Sequence, residues 1–189
     1  MAAAATLKSM LRSGPMVIAP GAYDCLTARL VEQAGFPAVY MTGAGTSVSH
    51  GLPDYGLLTM TEMVANAGRM AATVGVPLIS DADTGYGNEL NVYRTVQSFE
   101  RAGVSAIHIE DQVFPKRCGH LDGKELVSRE DYAAKIRAAA AARRTADFLI
   151  IARTDARGVA GFDEAVARCN MALEAGADMA FFEAPQSVE

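Results

Sequence analysis

Residues 77–88 read PLISDADTGYGN, and this stretch decides the fold. A short apolar run without polar alternation leads into Asp81 and Asp83, as expected of a strand buried on both faces of a parallel sheet. Gly75 lies just before the run, at the position where a glycine commonly ends a helix. The stretch therefore predicts a helix followed by a strand whose carboxyl end carries two carboxylates.

The same pattern recurs along the chain. Five further apolar runs end in polar or small residues: MVIAPGAYD (16–24), AVYMTG (38–43), AIHIED (106–111), FLIIARTD (148–155) and MAFFEA (179–184). Helix-start signals lie between them, with a Thr59–Glu62 capping box, Ser128 before an alanine-rich segment, and Asp163 as a further cap. Alternating strands and helices predict a parallel sheet with right-handed crossovers.

The polar strand ends favour a barrel over an open doubly wound sheet. In a barrel the carboxyl ends of all strands meet on one face, whereas an open sheet concentrates such residues at one switch point. We therefore predict an α/β fold of the (β/α)8 TIM-barrel type. Such a barrel needs eight strands and typically ~250 residues. We expect residues 1–189 to be one domain, the N-terminal three quarters of a barrel in about six βα units, and the chain to be truncated.

Composition excludes several classes of function. The chain has 189 residues, is 50% hydrophobic and carries a net charge of −5, which gives no support for a nucleic-acid or anionic-membrane partner. No apolar stretch approaches the roughly 20 residues of a membrane-spanning helix. The 3 cysteines lack zinc-site spacing and disulfide density. We expect a cytoplasmic protein with reduced thiols.

The acidic residues at the strand ends predict a metal site. Asp81 and Asp83 point to the same side of the pleat, and Glu110 ends the next strand. Three converging carboxylates repel one another unless a cation neutralises them, and Mg²⁺ commonly takes one or two carboxylates and several waters. Mn²⁺ is a possible substitute. The alternative is structural: Asp83 begins a turn, and Glu110 pairs with Arg153.

Arg153 and the segment TGAGTSVSHG (42–51) are candidates for binding a carboxylate. The guanidinium of Arg153 can clamp a carboxylate through two hydrogen bonds, although an ion pair with Glu183 or Asp155 is equally open. The small residues of 42–51 expose backbone N–H groups, and the segment matches neither the dinucleotide nor the Walker pattern. His108 lies within a strand and is expected to be a packed, hydrogen-bonded core residue.

The loop EDQVFPKRCGHLDGK (110–124) is much longer than the usual 2–6 residues of a βα connection. It places Cys118 beside Lys116, Arg117 and His120, where positive charge favours thiolate or ready proton exchange. A lid of this kind can exclude water and deliver a proton donor. The alternative is a solvated basic loop with an idle cysteine.

Together, DADTGYGN (81–88), IEDQVFPKRCGH (109–120), ARTDA (152–156) and GLPDYG (51–56) resemble the isocitrate lyase and phosphoenolpyruvate mutase superfamily, on its carbon–carbon lyase branch. The resemblance extends from Gly21 to Glu183. It implies a Mg²⁺-dependent barrel, usually a homotetramer, that cleaves a 2-hydroxy di- or tricarboxylate, of the 2-methylisocitrate or 2,3-dimethylmalate type, into pyruvate and a dicarboxylate.

The resemblance also implies a role for each matching position. The residues fall into three groups: metal ligands Asp81, Asp83 and Glu110; substrate contacts Tyr40, Thr42, Gly43, Ala44, Gly119, Arg153 and Glu183; and catalytic residues Cys118, Lys116, Arg117, His120 and Asp54, the last linked to the metal shell. Oxaloacetate decarboxylase and a phosphonate-forming mutase are alternatives that need no lid cysteine. An inactive partial barrel acting as a binding module is the alternative from another class.

Overall fold

The computed structural model describes residues 2–119, 121 and 123–185 as strands alternating with helices. The helices are α1 (Ala2–Ser13), α2 (Cys25–Gln33), α3 (Gly43–Ser49), α4 (Met60–Thr73), α5 (Glu89–Arg101), α6 (Arg129–Ala142), α7 (Ala156–Val159) and α8 (Phe162–Glu174). The strands are β1 (Gly21–Ala22), β2 (Val39–Met41), β3 (Leu78–Asp81), β4 (Ala106–Glu110), β5 (Leu149–Thr154) and β6 (Met179–Phe182).

The strands form one parallel sheet in the order β1-β2-β3-β4-β5-β6. Each strand pairs with the next strand in the chain, which is the order of a (β/α) barrel; a doubly wound sheet interleaves its strands. The predicted fold class is confirmed. The carboxyl ends of all these strands lie on one side of the sheet, and there the polar residues of the sequence pattern gather.

Two of the three predicted helix starts are confirmed. Thr59 and Glu62 form the capping box of α4, and the Ser128 side chain accepts a hydrogen bond from the N–H of Asp131 at the start of α6. The prediction for Asp163 was wrong, because α8 begins after Gly161 and Asp163 lies in its first turn. Gly161 has φ +96°, a conformation favoured by glycine, and this turns the chain into the helix before Asp163.

One other local prediction needs correction. The run 16–24 contributes only Gly21–Ala22 to the sheet, and Met16 is 83% exposed. Pro20 has no N–H to donate, so only its carbonyl pairs with β2, accepting from the N–H of Tyr40. The segment after β2, to which the sequence pattern assigned no secondary structure, forms the short helix α3, whose N-cap Thr42 accepts from the N–H of Gly45.

The core lies between the sheet and the helices that cover it. Fully buried side chains from β2, β3 and β4 (Met41, Leu78, Ile107) pack with those of α4 and α5, such as Met63 and Phe99. Burial of this kind stabilises by about 25 cal/mol per Å² of apolar surface. The packed core fixes the strands, so the side chains at their carboxyl ends have defined positions. Among the described residues, no helix has the length and apolar character needed to cross a membrane.

Candidate active site

A cavity of about 200 Å³ lies at the carboxyl ends of the strands. Most residues predicted from the sequence line it: Tyr40, Thr42, Gly43, Ala44, Asp54, Asp81, Lys116, Cys118, Gly119, Arg153 and Glu183, together with Phe181, which was not predicted. They come from four strand ends, the segment 51–56 and the loop after β4. The barrel topology has thus brought residues far apart in sequence to one place.

Asp81 is fixed at the floor of the cavity by backbone N–H groups. Its Oδ2 accepts from Gly43 at 3.1 Å, and its Oδ1 accepts from Asp83 at 2.9 Å. A Cβ on Gly43 would collide with the Asp81 carboxylate, so glycine is needed for this close approach. The carboxylate that the segment 42–51 was predicted to bind is therefore, in this structure, one of the protein's own.

Lys116 enters the carboxylate cluster from the loop. Its Nζ lies 2.5 Å from Oδ1 of Asp54 and 3.1 Å from Oδ1 of Asp83, and the side chain is 4% exposed. Burial and the charge of Asp81 raise the pKa of Asp83 to about 7, even with the ammonium of Lys116 beside it. Burial also opposes the charge on Lys116, but the carboxylates outweigh it and raise the pKa of this lysine. Keeping these carboxylates ionised costs free energy, and their negative charge attracts cations.

Glu110 is buried beside this cluster. Burial raises the pKa of Glu110 well above its ordinary value, and the nearby charge of Arg153 only partly offsets this. Its Oε2 lies 3.4 Å from Nε of Arg153, whereas Oε1 accepts no hydrogen bond from any described residue. A buried carboxylate oxygen without a partner is costly, and a water or a cation in the cavity would satisfy it.

The residues present fit a hard divalent cation. Asp81, Asp83 and Glu110 supply carboxylate oxygens, the ligands that Mg²⁺ prefers, and one of those oxygens has no partner in the described chain. The described side chains do not form a preassembled group of three or more His, Cys, Asp or Glu ligands. Mg²⁺ does not need one, because it usually keeps several waters and takes one or two carboxylates.

Arg153 lies across the cavity from Asp81 and is held in a ring of carboxylates. Its Nε lies 3.0 Å from Oδ2 of Asp155, and its Nη2 lies 3.5 Å from Oε2 of Glu183. Its guanidinium carbon also lies 5.4 Å from the centroid of the Phe181 ring, a cation–π contact. The ion pairs predicted as the structural alternative for Arg153 are therefore observed. The guanidinium of Arg153 also lines the cavity, where an incoming carboxylate can reach it.

His108 is buried as predicted, but it also belongs to the site. Its Nε2 lies 2.5 Å from the hydroxyl of Tyr40 and 3.5 Å from Oδ1 of Asp81, and its ring stacks on that of Tyr40. Burial lowers the pKa of His108 to about 4, against the opposing charge of Asp81, so the imidazole is neutral at pH 7. The position of His108 within a strand did not indicate that its imidazole would form a hydrogen bond with the hydroxyl of Tyr40.

The loop after β4 covers the cavity. Cys118 is half-buried and lines the cavity, and Gly119 lies so close to Arg153 and Glu183 that a Cβ there would contact both. The loop is shaped by Gln112, whose side chain accepts from the N–H of Arg117 at 3.0 Å and donates to its carbonyl at 2.8 Å.

Of the other two predicted loop residues, Arg117 does not line the cavity. The Arg117 side chain is exposed and lines a separate outer cleft of about 540 Å³, together with Tyr55 and Phe114. His120 lies outside the described residues, so its predicted role stays a prediction. Of the basic residues predicted in the loop, Lys116 is thus the one that the described structure brings to the carboxylates.

The sequence reasoning also missed Lys124 and its pairing with Asp155. Lys124, at the far end of the loop, lies with its Nζ 3.3 Å from Oδ1 of Asp155, and both side chains are buried. Asp155 had been considered only as a partner of Arg153. Nothing in local spacing identifies Lys124, because a lysine after Gly123 in a polar loop is normally a solvated surface residue.

The fold and the site together define a (β/α)-barrel protein with a carboxylate-rich, cation-attracting cavity under a cysteine-bearing loop. Residues 7–189 match the family described as phosphoenolpyruvate phosphomutase. The chain is 54% identical over 190 residues to 2,3-dimethylmalate lyase of Eubacterium barkeri, covering 100% of this chain and 66% of that protein. The chain belongs to the phosphoenolpyruvate mutase/isocitrate lyase superfamily.

Two further comparisons agree with this membership. A 2-methylisocitrate lyase of Aeropyrum pernix is 51% identical over 183 residues, which are 97% of this chain and 59% of that protein. A crystal structure of 2,3-dimethylmalate lyase superposes with a TM-score of 0.94 at 47% identity and covers 100% of this chain and 64% of that one. The chain thus spans between 59% and 66% of the length of these relatives.

Proposed function

We propose that the protein is a Mg²⁺-dependent carbon–carbon lyase that cleaves a 2-hydroxy dicarboxylate into pyruvate and a monocarboxylate, or a 2-hydroxy tricarboxylate into pyruvate and a dicarboxylate. The substrate would be of the 2,3-dimethylmalate or 2-methylisocitrate type, the substrates named in the two sequence relatives. The observation that carries the proposal is the position of Cys118, which lines the same cavity as Asp81 and Arg153. A proton donor, a cation-attracting cluster and an anion-binding guanidinium then face one small volume.

The metal would be held by Asp81 and Asp83, with Glu110 in support, directly or through water. When bound there, it would lower the pKa of the substrate hydroxyl and stabilise the charge of the 2-oxo acid product. Lys116 now pairs with Asp83 and would have to yield that oxygen, while it keeps its pairing with Asp54. The buried carboxyl groups give the cavity the charge that a divalent cation requires.

The chain's own residues would bind the rest of the substrate. Arg153 would receive a carboxylate, with Glu183 and Asp155 holding the guanidinium plane in position. The loop would exclude water from the cavity, since Gly119 already lies against Arg153. A general base would take the proton of the substrate hydroxyl, the C2–C3 bond would break to leave pyruvate, and the thiol of Cys118 would donate its proton to the carbanion of the departing carboxylate fragment.

Mg²⁺-dependent release of pyruvate is the direct test, with Cys118→Ser compared against Cys25→Ser. The panel is 2,3-dimethylmalate, 2-methylisocitrate, citramalate and oxaloacetate, with the second product identified by NMR. We expect Cys118→Ser to lower kcat by about 10²–10⁴, the contribution of a general acid, and Cys25→Ser to change it little, because Cys25 lies in α2 outside the cavity. Pyruvate from oxaloacetate alone, unaffected by Cys118→Ser, would contradict the proposal and indicate a decarboxylase.

We also propose that the protein forms a homotetramer, as the superfamily resemblance favours. Size-exclusion chromatography with light scattering measures the mass of the assembly directly. A monomer that releases pyruvate would show that catalysis does not require the tetramer.

A further inference from the structure

We infer that Lys124 is a positioning residue that holds the Cys118 loop over the cavity by anchoring it to Asp155. Its contribution to turnover rests on the lyase function proposed above, but its effect on the loop does not. Lys124 contacts Gly119, which lines the cavity, and Asp155, which pairs with the cavity residue Arg153. It therefore acts through other residues.

The contacts of Lys124 reach both the loop and the barrel. Its Nζ donates to the carbonyl of Gly119, the residue next to Cys118, and lies 3.3 Å from Oδ1 of Asp155. The Lys124 side chain is 6% exposed, although it belongs to a polar loop segment. One ammonium thus ties the backbone beside the reactive thiol to a carboxylate at the end of β5.

Asp155 is a rigid anchor. Its backbone N–H donates to Oδ1 of Asp111 at 2.9 Å, and Asp111 also accepts from Thr154 at 2.6 Å and from Arg168 at 3.1 Å. All these groups are buried and lie on β5, α8 or the end of β4. The carboxylate that receives Lys124 is therefore fixed by the barrel, and the loop is the part that can move.

The same carboxylate connects the loop to the anion-binding residue. Oδ1 of Asp155 lies 3.3 Å from Nζ of Lys124 and 3.2 Å from Nη2 of Arg153. Two cations therefore share one oxygen. A carboxylate bound to Arg153 would weaken the interaction of the guanidinium with Oδ1 of Asp155. The interaction of Asp155 with Lys124 would then become stronger. Anion binding would favour the covered position of the loop.

If Lys124 only stabilised the fold, its removal would affect the whole protein and not the loop in particular. An exposed lysine–carboxylate pair contributes little, whereas removal of one partner of a buried pair is strongly felt. Lys8 supplies a matched control, because its Nζ also donates to a distant backbone carbonyl, that of Ala146, but it lies on α1 and lines a different cavity. Loss of a lysine–carbonyl contact can therefore be compared with loss of the loop anchor.

The test is the rate of alkylation of each cysteine by iodoacetamide, read by peptide mass spectrometry, in the whole protein and without substrate. In Lys124→Met we expect the Cys118 rate to rise about tenfold or more, because a loop held by a buried ion pair opens more often without it. Cys25 and Cys169 serve as internal references and should not change. Lys124→Arg should stay near the wild-type rate, and Lys8→Met should match the wild type.

An unchanged Cys118 rate in folded Lys124→Met would overturn the inference, as would an equal rise at all three cysteines. A Cys118 rate in Lys124→Arg as high as in Lys124→Met would overturn the role of the charge. Lys124→Gln is measured in parallel, and failure of both neutral variants to fold would show that the fold itself requires the residue. Because alkylation needs no turnover, these outcomes are independent of whether the lyase assay succeeds; in an active enzyme Lys124→Met should lower kcat more than it raises KM.

Discussion

Two buried lysines, Lys116 and Lys135, should differ sharply in the free energy of unfolding that is lost when each is removed. Lys116 is 4% exposed and pairs with two carboxylates, Asp54 at 2.5 Å and Asp83 at 3.1 Å. Lys135 is 7% exposed, and its Nζ donates to the carbonyl of Thr84 at 3.2 Å. Lys116→Met leaves the buried Asp83 and the partly buried Asp54 without their cation, whereas Lys135→Met leaves only the carbonyl of Thr84 without its donor.

The magnitude follows from these partners. Loss of one member of a buried ion pair costs about 3–5 kcal/mol. Asp83 limits the cost, because its pKa is already about 7 and it takes up a proton readily when Lys116 is gone. We therefore expect Lys116→Met to lower the free energy of unfolding by about 3 kcal/mol, the lower end of that range. Burial disfavours the charged form of Lys135 and lowers its pKa, and this cost offsets part of the stabilisation from its hydrogen bond. We therefore expect the hydrogen bond to contribute about 1 kcal/mol at most.

Urea unfolding followed by circular dichroism measures both variants, with and without Mg²⁺. If Asp81 and Asp83 bind the ion, Mg²⁺ should stabilise Lys116→Met more than wild type, because it takes the place of the missing ammonium. Binding at 100 times Kd adds about 2.7 kcal/mol. Equal losses for Lys116→Met and Lys135→Met, or a Lys116→Met protein indifferent to Mg²⁺, would refute the assignment of this cluster as a cation site.

Two glycine substitutions test the geometry of the cavity, with Gly68→Ala in the middle of α4 as a control that meets only ordinary packing contacts. In Gly119→Ala the new Cβ would lie 2.6 Å from Oε1 of Glu183, so either the loop or the side chains of Glu183 and Arg153 must shift, and we expect kcat/KM to fall about 10²-fold at nearly unchanged melting temperature. In Gly43→Ala the new Cβ would displace the Asp81 carboxylate and break its 3.1 Å hydrogen bond, worth about 1.5–3 kcal/mol. Calorimetry should then show Mg²⁺ binding at least tenfold weaker, and unchanged affinity would contradict the placement of Asp81 in the metal site.

The sequence pattern was sufficient for the fold because the barrel repeats one local rule. Apolar runs that end in polar residues, most of them preceded by a glycine near the end of a helix, identify the strands and their direction without any tertiary information. The rule failed at residues with unusual backbone properties. Pro20 cannot donate to the sheet, so β1 begins only after it. Helix α3 contains Gly43 and Gly45, residues of low helix propensity that the pattern could not assign to a helix.

The site was predictable to the extent that its residues stand at strand ends. Asp81, Arg153 and Glu183 were found in this way, and the structure brings them to one cavity. Lys124 and the role of His108 were missed, because both depend on burial and on partners distant in sequence. The identity of a residue in a polar loop does not reveal whether its side chain turns inward, since that is decided by the charges beneath the loop.

The loop over the cavity reverses the usual distribution of side chains, and this bears on how it works. Its apolar residues Phe114 and Leu121 are 51% and 44% exposed, whereas the side chains of Lys116 and Lys124, on either side of Cys118, are buried. The lysines enter separate groups of carboxylates, so charge, with little contribution from apolar packing, holds the loop in place. An interaction of this kind responds to ions in a way that hydrophobic contact does not. Under the proposed function, a cation on Asp83 would compete with Lys116, and an anion on Arg153 would strengthen the interaction of Lys124 with Asp155. We therefore expect the position of Cys118, between Lys116 and Lys124, to respond both to the metal and to the substrate carboxylate.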